Sequence, residues 1–322
     1  LISNNKVNIN KLVSNEFSIE NYNEAYEVLN NRDKFKLGVL LRYKEKHTFK
    51  TKNINYKINE IDKNTKINIG FIGSGNFVSG TLLPNFCKSN INLISIGSQN
   101  SISSSFLGKK YKFKNVVSDV NEIINDQNIN TVVIATRHNS HYDYLIKSME
   151  AKKNIFIEKP LCLSMEQLMH ITKLYNEEYK YTNKSFYLGF NRRFSPLAIK
   201  CKKFINESES VKNFVITVNA GKIINDHWLL NKDEGGGRLI GEGCHFIDLI
   251  LFLNGSNITD YEILSADDQN FSLIIKFENE SVGTIHYFAN GSKLFPKERL
   301  EIFFDDKVLF LDNFRSLKGF GF

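Results

Sequence analysis

The chain has 322 residues, a formal net charge of +7 at pH 7, and a hydrophobic fraction of 42%. Two ordinary domains with buried cores fit this length, and no apolar run in the sequence is long enough to span a bilayer. The basic charge favours anionic ligands such as nucleotides, but no nucleic-acid-binding motif accompanies it, so we expect contacts with neither nucleic acid nor membrane.

The four cysteines are widely separated and form no Cys-x-x-Cys pair; they are Cys87, Cys162, Cys201 and Cys244. This spacing favours reduced thiols in the cytoplasm and is unlike a structural zinc site. The Glu-x-x-His pattern from Glu242 to His245 has no second copy, which a di-metal carboxylate site would require. We therefore expect a cytoplasmic protein without a bound metal.

Residues 1–45 form a separate predicted part at the start of the chain. Apolar residues on a helical period predict a helix that Ser18 caps, running through Leu29, and residues 36–42 then predict a strand. The polar residues 46–65 predict a linker. Because the chain begins with Leu1 rather than Met, we expect a fragment or a processed chain.

A short apolar strand, a glycine turn and a helix start follow this linker. Strand 67–72 leads into Gly73 and Gly75, which allow a tight turn and the close approach of a pyrophosphate to the backbone. The helix that begins at Asn76 and Phe77 offers unpaired N–H groups and a partial positive charge. Together these features predict a dinucleotide-binding site.

The helix after this turn carries two departures from a regular pattern. Val78 stands where the dinucleotide fingerprint has its third small residue, with Gly80 two positions later. Pro84 cannot donate to the carbonyl of Gly80, so the predicted helix 76–88 is bent or ended there. A plain strand–turn–helix corner also uses glycine, so that alternative stays open.

Strands and helices alternate from residue 66 to residue 185, and the strands are continuously apolar. This pattern predicts a Rossmann-type doubly wound parallel sheet, covered by helices on both faces. The predicted strands after the first are 91–97, 116–117, 131–136 and 154–157. The predicted helices after the first are 101–110, 120–126, 142–151 and 164–179.

Residues 186–322 show a different pattern, in which strands follow one another directly. The predicted strands are 214–220, 271–277, 283–288, 300–304 and 308–311, with one helix at 243–253. Successive strands favour antiparallel pairing, so this half is predicted to be an α+β domain with a mainly antiparallel open sheet.

Four polar motifs stand out in the two halves. Residues 136–141 follow the fourth strand and residues 158–160 follow the fifth, at the strand ends where open α/β sheets bind ligands. The second half adds residues 189–196, with two adjacent arginines, and residues 235–248, with three glycines and a histidine.

In this order and spacing the four motifs resemble the Gfo/Idh/MocA family of glucose–fructose oxidoreductase, inositol dehydrogenase and related sugar dehydrogenases. The resemblance covers residues 66–322. It implies an NAD(P)-dependent oxidoreductase acting on a hydroxyl or keto carbon of a sugar, nucleotide-sugar or cyclitol. It also implies a homo-oligomer formed through the antiparallel sheet, and further helices beyond Phe322, so the second domain is expected to be incomplete.

Residues 1–45 resemble the C-terminal tail of medium-chain, zinc-type alcohol dehydrogenases, without that family's zinc ligands or glycine-rich loop. The whole chain resembles the rear part of a two-domain fusion oxidoreductase, of a kind associated with bacterial surface-polysaccharide or sugar metabolism. The alternative function is a catalytically silent nucleotide-binding module or an incomplete fragment of a bifunctional enzyme.

The Gfo/Idh/MocA resemblance implies catalytic roles for Lys159 and His245. Lys159 would lie beside the nicotinamide and hydrogen-bond the reacting oxygen, where a cation stabilises a developing alkoxide. His245 would exchange the proton, because its ordinary pKa lies near neutrality. The alternatives are a surface lysine and a buried structural histidine. Gly241 stands where the family commonly has an aspartate, and Glu242 is the candidate substitute for that carboxylate.

The same resemblance implies the cofactor-binding residues: Gly73, Gly75, Asn76, Phe77, Ser98, Thr136, His138, His141, Glu158 and Lys159. Glu158 would contact the cofactor ribose or orient Lys159, and a cis bond is expected before Pro160. Ser98 ends the second strand, where NAD-specific folds place an acidic residue for the ribose 2′-hydroxyl. With neither an acid nor an arginine there, NAD and NADP both stay open, and family habit favours NAD.

Three residues are the candidates for substrate binding, namely Arg192, Glu242 and Asp248. Glu242, His245 and Asp248 are spaced by three, so a regular helix would place them on one face. We therefore expect the two carboxylates to lie beside the catalytic histidine.

Overall fold

The structure is a computed structural model that describes residues 12–31, 37–43, 54–55, 67–98, 101–224 and 226–322. The chain divides into two compact units, Leu1–Thr51 and Lys52–Phe322. Of the predicted linker 46–65, only Ile54 and Asn55 are among the described residues, and they form a short strand in the larger unit. The predicted domain boundaries stay a prediction.

The smaller unit contains two parallel strands with a helix between them in sequence. Its elements are β1 (Asn15–Ser18), α1 (Tyr22–Asn30) and β2 (Val39–Arg42). A 3-10 turn, Ile19–Asn21, precedes α1. The predicted helix cap at Ser18 does not form, because the Ser18 hydroxyl donates to the carboxylate of Glu20 and accepts no backbone N–H.

The first sheet of the larger unit has seven strands in the order β3-β6-β5-β4-β7-β8-β9. The strands are β3 (Ile54–Asn55), β4 (Asn68–Ile72), β5 (Asn92–Gly97), β6 (Asn115–Val117), β7 (Thr131–Ile134), β8 (Asn154–Ile157) and β9 (Phe186–Leu188). All neighbours are parallel except β3, which joins the edge antiparallel to β6. The order steps outward from β4 in both directions, so the predicted doubly wound sheet is confirmed.

Helices cover both faces of this sheet, as the continuous apolarity predicts. They are α2 (Leu83–Phe86), α3 (Ser101–Tyr111), α4 (Asn121–Asn125), α5 (His141–Glu150) and α6 (Met165–Glu177). Phe71 and Val133 belong to one buried cluster, and their neighbours Ile72 and Ile134 belong to the other. Successive residues of the central strands therefore feed two separate apolar cores.

The prediction left open whether Pro84 bends or ends the helix after the glycine turn, and the helix continues past this proline. A π-helical turn, Val78–Leu82, precedes α2, and the N–H of Leu83 donates to the carbonyl of Val78, five residues back. Pro84 is the second residue of α2 and directly follows this π turn, where the helical hydrogen-bond pattern is already irregular. The proline is thus tolerated without ending the helix.

The second sheet has seven strands in the order β11-β12-β13-β10-β14-β15-β16. The strands are β10 (Asn213–Asn219), β11 (Ile258–Asp267), β12 (Asn270–Phe277), β13 (Val282–Phe288), β14 (Glu298–Phe304), β15 (Lys307–Asp312) and β16 (Ser316–Phe320). Only β10 and β13 are parallel neighbours, so the mainly antiparallel prediction is confirmed. Helices α7 (Pro196–Asn206) and α8 (Cys244–Asn254) pack into one buried cluster with these strands.

The sequence pattern does not predict six of the described strands and helices: β1, β3, β9, α7, β11 and β16. A helix-start signal for α7 was present, since the Ser195 hydroxyl accepts the N–H of Ala198 at 3.3 Å and Pro196 opens the helix. All ten residues of β11 are exposed, so that strand carries no alternation of burial. The predicted homo-oligomer stays a prediction. No helix in the described ranges is long and apolar enough to cross a membrane.

Candidate active site

The glycine turn after β4 packs against the exit of β7 and leaves open space beside Gly75. Gly73 has φ +117°, and a Cβ there would lie 2.2 Å from the carbonyl oxygen of Ala135, so only glycine fits. A Cβ on Gly75 would meet nothing within 4 Å. The exposed helix start at Asn76 and Phe77 follows. This arrangement fits a dinucleotide pyrophosphate, which needs close approach to the backbone beside a helix N-terminus.

Ser98 belongs to a cluster of three hydroxyl groups that joins the exits of β4 and β5 to α3. Its Oγ lies 2.7 Å from the Oγ of Ser74 and 2.7 Å from that of Ser104, and the last two are 3.2 Å apart. These three side chains present hydroxyl groups, with no carboxylate among them to repel a 2′-phosphate. Sequence spacing gives no indication of Ser104.

His141 ties the exit of β7 to the exit of β8. The ring is fully buried, with Nδ1 2.7 Å from the carbonyl oxygen of Pro160 and Nε2 3.1 Å from that of Thr136. Burial lowers the pKa of His141, and a neutral ring donates to one of these carbonyls at a time. The structure therefore gives His141 a supporting position, and cofactor contacts of Thr136 and His141 stay predictions.

His138 contacts the second half of the chain. Its Nδ1 lies 2.8 Å from the carbonyl oxygen of Gly235, so Nδ1 carries the proton and donates it. Burial lowers the pKa of His138 to about 4, which keeps the ring neutral at physiological pH. The ring packs edge-on against Trp228, with 4.9 Å between centroids. Trp228 lies outside the recognised motifs, and the cofactor contact of His138 stays a prediction.

The segment after β8 places Lys159 against the second half of the chain. Its Nζ donates to the carbonyl oxygen of Gly241 at 2.8 Å, and the bond from Lys159 to Pro160 is cis, as predicted. Burial raises the pKa of Glu158 to about 7. A Cβ on Gly189 would lie 2.8 Å from the Glu158 carboxyl group, so a side chain at residue 189 would displace that carboxyl group.

His245 lies in the first turn of α8, after a π-helical turn, Leu239–Gly243. The residue is 8% exposed, and its Nδ1 is buried without a hydrogen-bond partner among the described residues. Burial, and then the charges of Arg192, Lys159 and Lys297, lowers the pKa of His245 to about 2. His245 is therefore neutral, and these positive charges oppose its protonation.

The three candidate substrate-binding residues each have a charged partner inside the protein. The pairs are Arg192 with Glu298, Asp248 with Arg193, and Glu242 with Arg238. Arg192 donates to both Glu298 oxygens, from Nε at 3.0 Å and from Nη2 at 2.6 Å. The partners of Arg192 and Asp248 lie 106 and 55 residues away in sequence, so motif spacing could not identify them, whereas Arg238 lies only four residues from Glu242. Substrate contacts of the three residues stay predictions.

Glu242 does not share a regular helix with His245, contrary to the expectation. The π turn that contains Glu242 ends at Gly243, before α8 begins. The Glu242 carboxylate accepts hydrogen bonds from Tyr287 and Arg238. Burial alone would raise the pKa of Glu242, but these two hydrogen bonds and the Arg238 charge lower it. The carboxylate therefore holds the π turn in place.

The site combines Lys159, which follows the carboxyl end of β8, with the neutral His245 from α8. Lys159 contacts Gly241 directly, and His245 follows that glycine by four residues. A cation stabilises negative charge on an oxygen, and a neutral imidazole accepts a proton. Within the described ranges, no group of three His, Cys, Asp or Glu side chains is placed to hold a metal ion.

Comparison with protein families finds a match for the first half of the larger unit. Residues 67–183 match the model of the Gfo/Idh/MocA family, described as an oxidoreductase family with an NAD-binding Rossmann fold. This segment is therefore similar to that family, in agreement with its motifs. The predicted fusion with a zinc-type alcohol dehydrogenase-like domain stays a prediction.

Curated relatives include two inositol dehydrogenases. The myo-inositol 2-dehydrogenase of Thermotoga maritima is 25% identical over 223 residues, which cover 65% of this chain and 64% of the relative. The scyllo-inositol 2-dehydrogenase (NAD(+)) of Bacillus subtilis is 31% identical over 151 residues, 44% of this chain and 40% of the relative. The matched regions thus span less than two thirds of these relatives.

The fold also resembles solved structures. Levoglucosan dehydrogenase in complex with NADH and levoglucosan superposes with a TM-score of 0.69 at 22% identity, covering 79% of this chain and 75% of that chain. At this identity the likeness shows the fold, which agrees with a Rossmann-type sheet followed by a mainly antiparallel sheet.

Proposed function

We propose that this chain is an NAD(P)-dependent oxidoreductase for a hydroxyl or keto carbon of a sugar, nucleotide-sugar or cyclitol. The contact between Lys159 and Gly241 carries the proposal, because it brings the lysine after β8 to the turn that leads directly into His245. The family of residues 67–183 supports the oxidoreductase class. The names of the relatives, two inositol dehydrogenases and a levoglucosan dehydrogenase, support the substrate class.

The residues present fit a bound dinucleotide. Gly73 and Gly75 would take the pyrophosphate, with Asn76 and Phe77 at the helix start. The hydroxyl of Ser98 would lie toward the ribose 2′ position. When bound, the dinucleotide supplies the nicotinamide that accepts or donates a hydride. The serine cluster does not select between NAD and NADP. We retain NAD as the proposed cofactor, because the family favours it.

Lys159 and His245 would divide the handling of the substrate oxygen. In the direction of oxidation, the carbon loses a hydride and the hydroxyl loses a proton. The Lys159 ammonium stabilises the negative charge that develops on the oxygen, while the neutral His245 imidazole accepts the proton. His245 is buried and Lys159 is half-buried, and this partial removal from water strengthens these interactions.

A second candidate is a nucleotide-binding module without turnover, or an inactive fragment of a bifunctional enzyme. Gly241 favours this candidate, since no side chain can stand there beside Lys159. A Cβ on Gly241 would lie 2.7 Å from Cδ1 of Leu229 and 3.1 Å from the carbonyl oxygen of Gly235. A role in surface-polysaccharide metabolism also stays a prediction.

The test is a titration with NADH and NADPH, followed by turnover assays. Trp228, the sole tryptophan, packs against His138 and reports binding through its fluorescence. We expect saturable quenching by at least one reduced dinucleotide, and oxidation of at least one inositol or hexose in a broad panel. Failure to bind either dinucleotide would contradict the proposed function. Binding without turnover across the panel would favour the second candidate.

A further inference from the structure

The strand β11 is one of the two edges of the second sheet, and it is the longest strand of that sheet. It pairs on one side only, with β12, and all ten of its residues are exposed. An exposed edge offers a row of backbone N–H and C=O groups to another strand. Natural proteins protect such edges with lysine, proline, bulges or short strands.

The opposite edge of this sheet, β16, carries protection of this kind. It is five residues long, with Lys318 at its centre. β11 contains neither lysine nor proline, and its two register shifts lie on either side of the run 260–265, which pairs regularly with β12. This run is therefore the unprotected part of the edge.

Apolar side chains of β11 lie on the helix side of the sheet and are nevertheless exposed. Tyr261 and Ile263 are directly opposite Ile275 and Leu273 of β12, so the four side chains share one face. Ile275 and Leu273 are buried in the cluster that includes α7 and α8, whereas Tyr261 is 67% exposed and Ile263 is 38% exposed. The apolar row thus continues one strand beyond the cover that the described helices provide.

The backbone of the same run presents hydrogen-bonding groups on the outer edge. The N–H of Tyr261 donates to Oδ1 of its neighbour Asp260 at 2.9 Å, so this N–H is directed away from β12. Backbone groups alternate in direction along a strand, so those of Ile263 and Ser265 face the same way as those of Tyr261. Three alternate outward positions suit the addition of an antiparallel strand.

The sequence of this run is compatible with pairing to a second copy of itself. An antiparallel pair centred on Ile263 places this residue opposite its own copy, with Tyr261 opposite Ser265 and Glu262 opposite Leu264. No carboxylate of β11 lies directly opposite another in this register. A pair centred on Glu262 would instead place two carboxylates face to face, which is unfavourable.

We propose that two copies of this chain associate edge to edge through β11, antiparallel and centred on Ile263. The two second sheets then form one continuous sheet, and Tyr261 and Ile263 of both copies pack together on its helix side. The Tyr261 N–H exchanges the Asp260 carboxylate for a carbonyl of the second copy. A two-fold axis closes this contact, so it produces a dimer and not a filament. The contact uses the edge of the sheet and leaves its open face uncovered.

Sedimentation velocity of the full chain tests the association. We expect a dimer with a dissociation constant of about 10 μM or tighter, since one strand pair is a small interface. Ile263→Pro deletes an N–H that β12 does not use and should give a monomer. Thr284→Lys is the matched control on the open face of β13 and should leave the dimer intact.

Cysteine substitutions test the register and do not depend on the folding of the proline variant. Ile263→Cys places two thiols across the two-fold axis, with Cα atoms about 5.5 Å apart, so mild oxidation should link two chains. Tyr261→Cys alone should not link them, and the addition of Ser265→Cys should restore the link. Non-reducing electrophoresis measures the product, and the parent controls for the exposed Cys87.

Several results would overturn the inference. A parent chain that stays monomeric at about 100 μM would exclude association of this strength. A dimer that persists in Ile263→Pro but dissociates in Thr284→Lys would assign the contact to the open face. Linking of chains through Tyr261→Cys as readily as through Ile263→Cys would contradict the register centred on Ile263.

Discussion

At the scale of single residues, Lys159 is proposed to act on the transition state and not on the cofactor. Lys159→Met deletes the ammonium, and with it the hydrogen bond to Gly241, but keeps most of the apolar stem, so packing around the stem should largely survive. We expect turnover to fall about a hundredfold or more, with little change in the NADH dissociation constant. Both quantities are measured on one preparation. Lys173→Met, an exposed lysine on α6, is the matched control and should behave as the parent.

Gly75 should show the reverse pattern of effects. The space beside this glycine is open in the structure, so Gly75→Val should fold normally and still block the approach of a pyrophosphate to the backbone. We expect NADH binding to be lost while the melting temperature stays near that of the parent. Normal turnover in Lys159→Met, or normal NADH binding in Gly75→Val, would remove the corresponding role.

At the scale of elements, the π turn before α8 depends on one buried hydrogen-bond network. Arg238 donates to Glu242, to the hydroxyl of Tyr287 at 2.9 Å, and to the carbonyl of Gly221 at 2.6 Å. Tyr287 on β13 also donates to Glu242. The network therefore joins the turn that carries Gly241 to the second sheet, and Lys159 contacts that turn from the first sheet.

Tyr287→Phe tests this network without changing the packing of the ring. A buried carboxylate that loses one of its donors costs about 1–3 kcal/mol, so the free energy of unfolding should fall by that amount. Urea denaturation measures the change. Tyr261→Phe, an exposed tyrosine on β11, should change stability by less than about 0.5 kcal/mol. Equal stabilities of the two variants would mean that Glu242 does not rely on Tyr287.

At the scale of the whole molecule, local patterns predicted the two sheets but not the pairing of distant charges. An apolar run such as that of β7, or a glycine turn such as the one that begins at Gly73, occupies only a few consecutive residues. Such patterns are therefore visible in the sequence. The partner of Arg192 lies 106 residues away, and that of Asp248 lies 55 residues away. Such pairs form only when distant parts of the chain fold together. The sequence does not show the partners, so these residues were predicted to bind substrate.

Helix irregularities were hidden for a related reason. The π turns at Val78–Leu82 and Leu239–Gly243 change the helical period without a distinctive residue type. One of them absorbs Pro84, and the other separates Glu242 from His245. A regular period therefore predicted the existence of both helices correctly, but it predicted neither π turn and wrongly placed Glu242 on a regular helix with His245.

Because the pKa values of buried groups at the site differ between the folded and unfolded chain, the free energy of unfolding depends on pH. The pKa values of His138 and His245 are lowered from 6.5 to about 4 and about 2, and that of His141 is lowered as well. Below pH 6.5 the unfolded chain binds protons at these histidines and the folded protein does not, so stability falls as pH falls. The pKa of Glu158 is raised from 4.5 to about 7, and it acts in the opposite direction between these values.

The contribution of Glu158 can be isolated by its amide variant. Between pH 6.5 and 5 the folded protein holds a proton on Glu158 that the unfolded chain has released, which partly offsets the histidines. Glu158→Gln removes this offset, so its free energy of unfolding should fall with decreasing pH more steeply than that of the parent. The expected difference is up to about 1.4 kcal/mol per pH unit, the value for one proton.

Urea denaturation at several pH values within this window measures both slopes. Glu177→Gln, at an exposed position on α6, should follow the parent. Parallel slopes for Glu158→Gln and the parent would show that Glu158 stays ionised, with an ordinary pKa, in the folded protein.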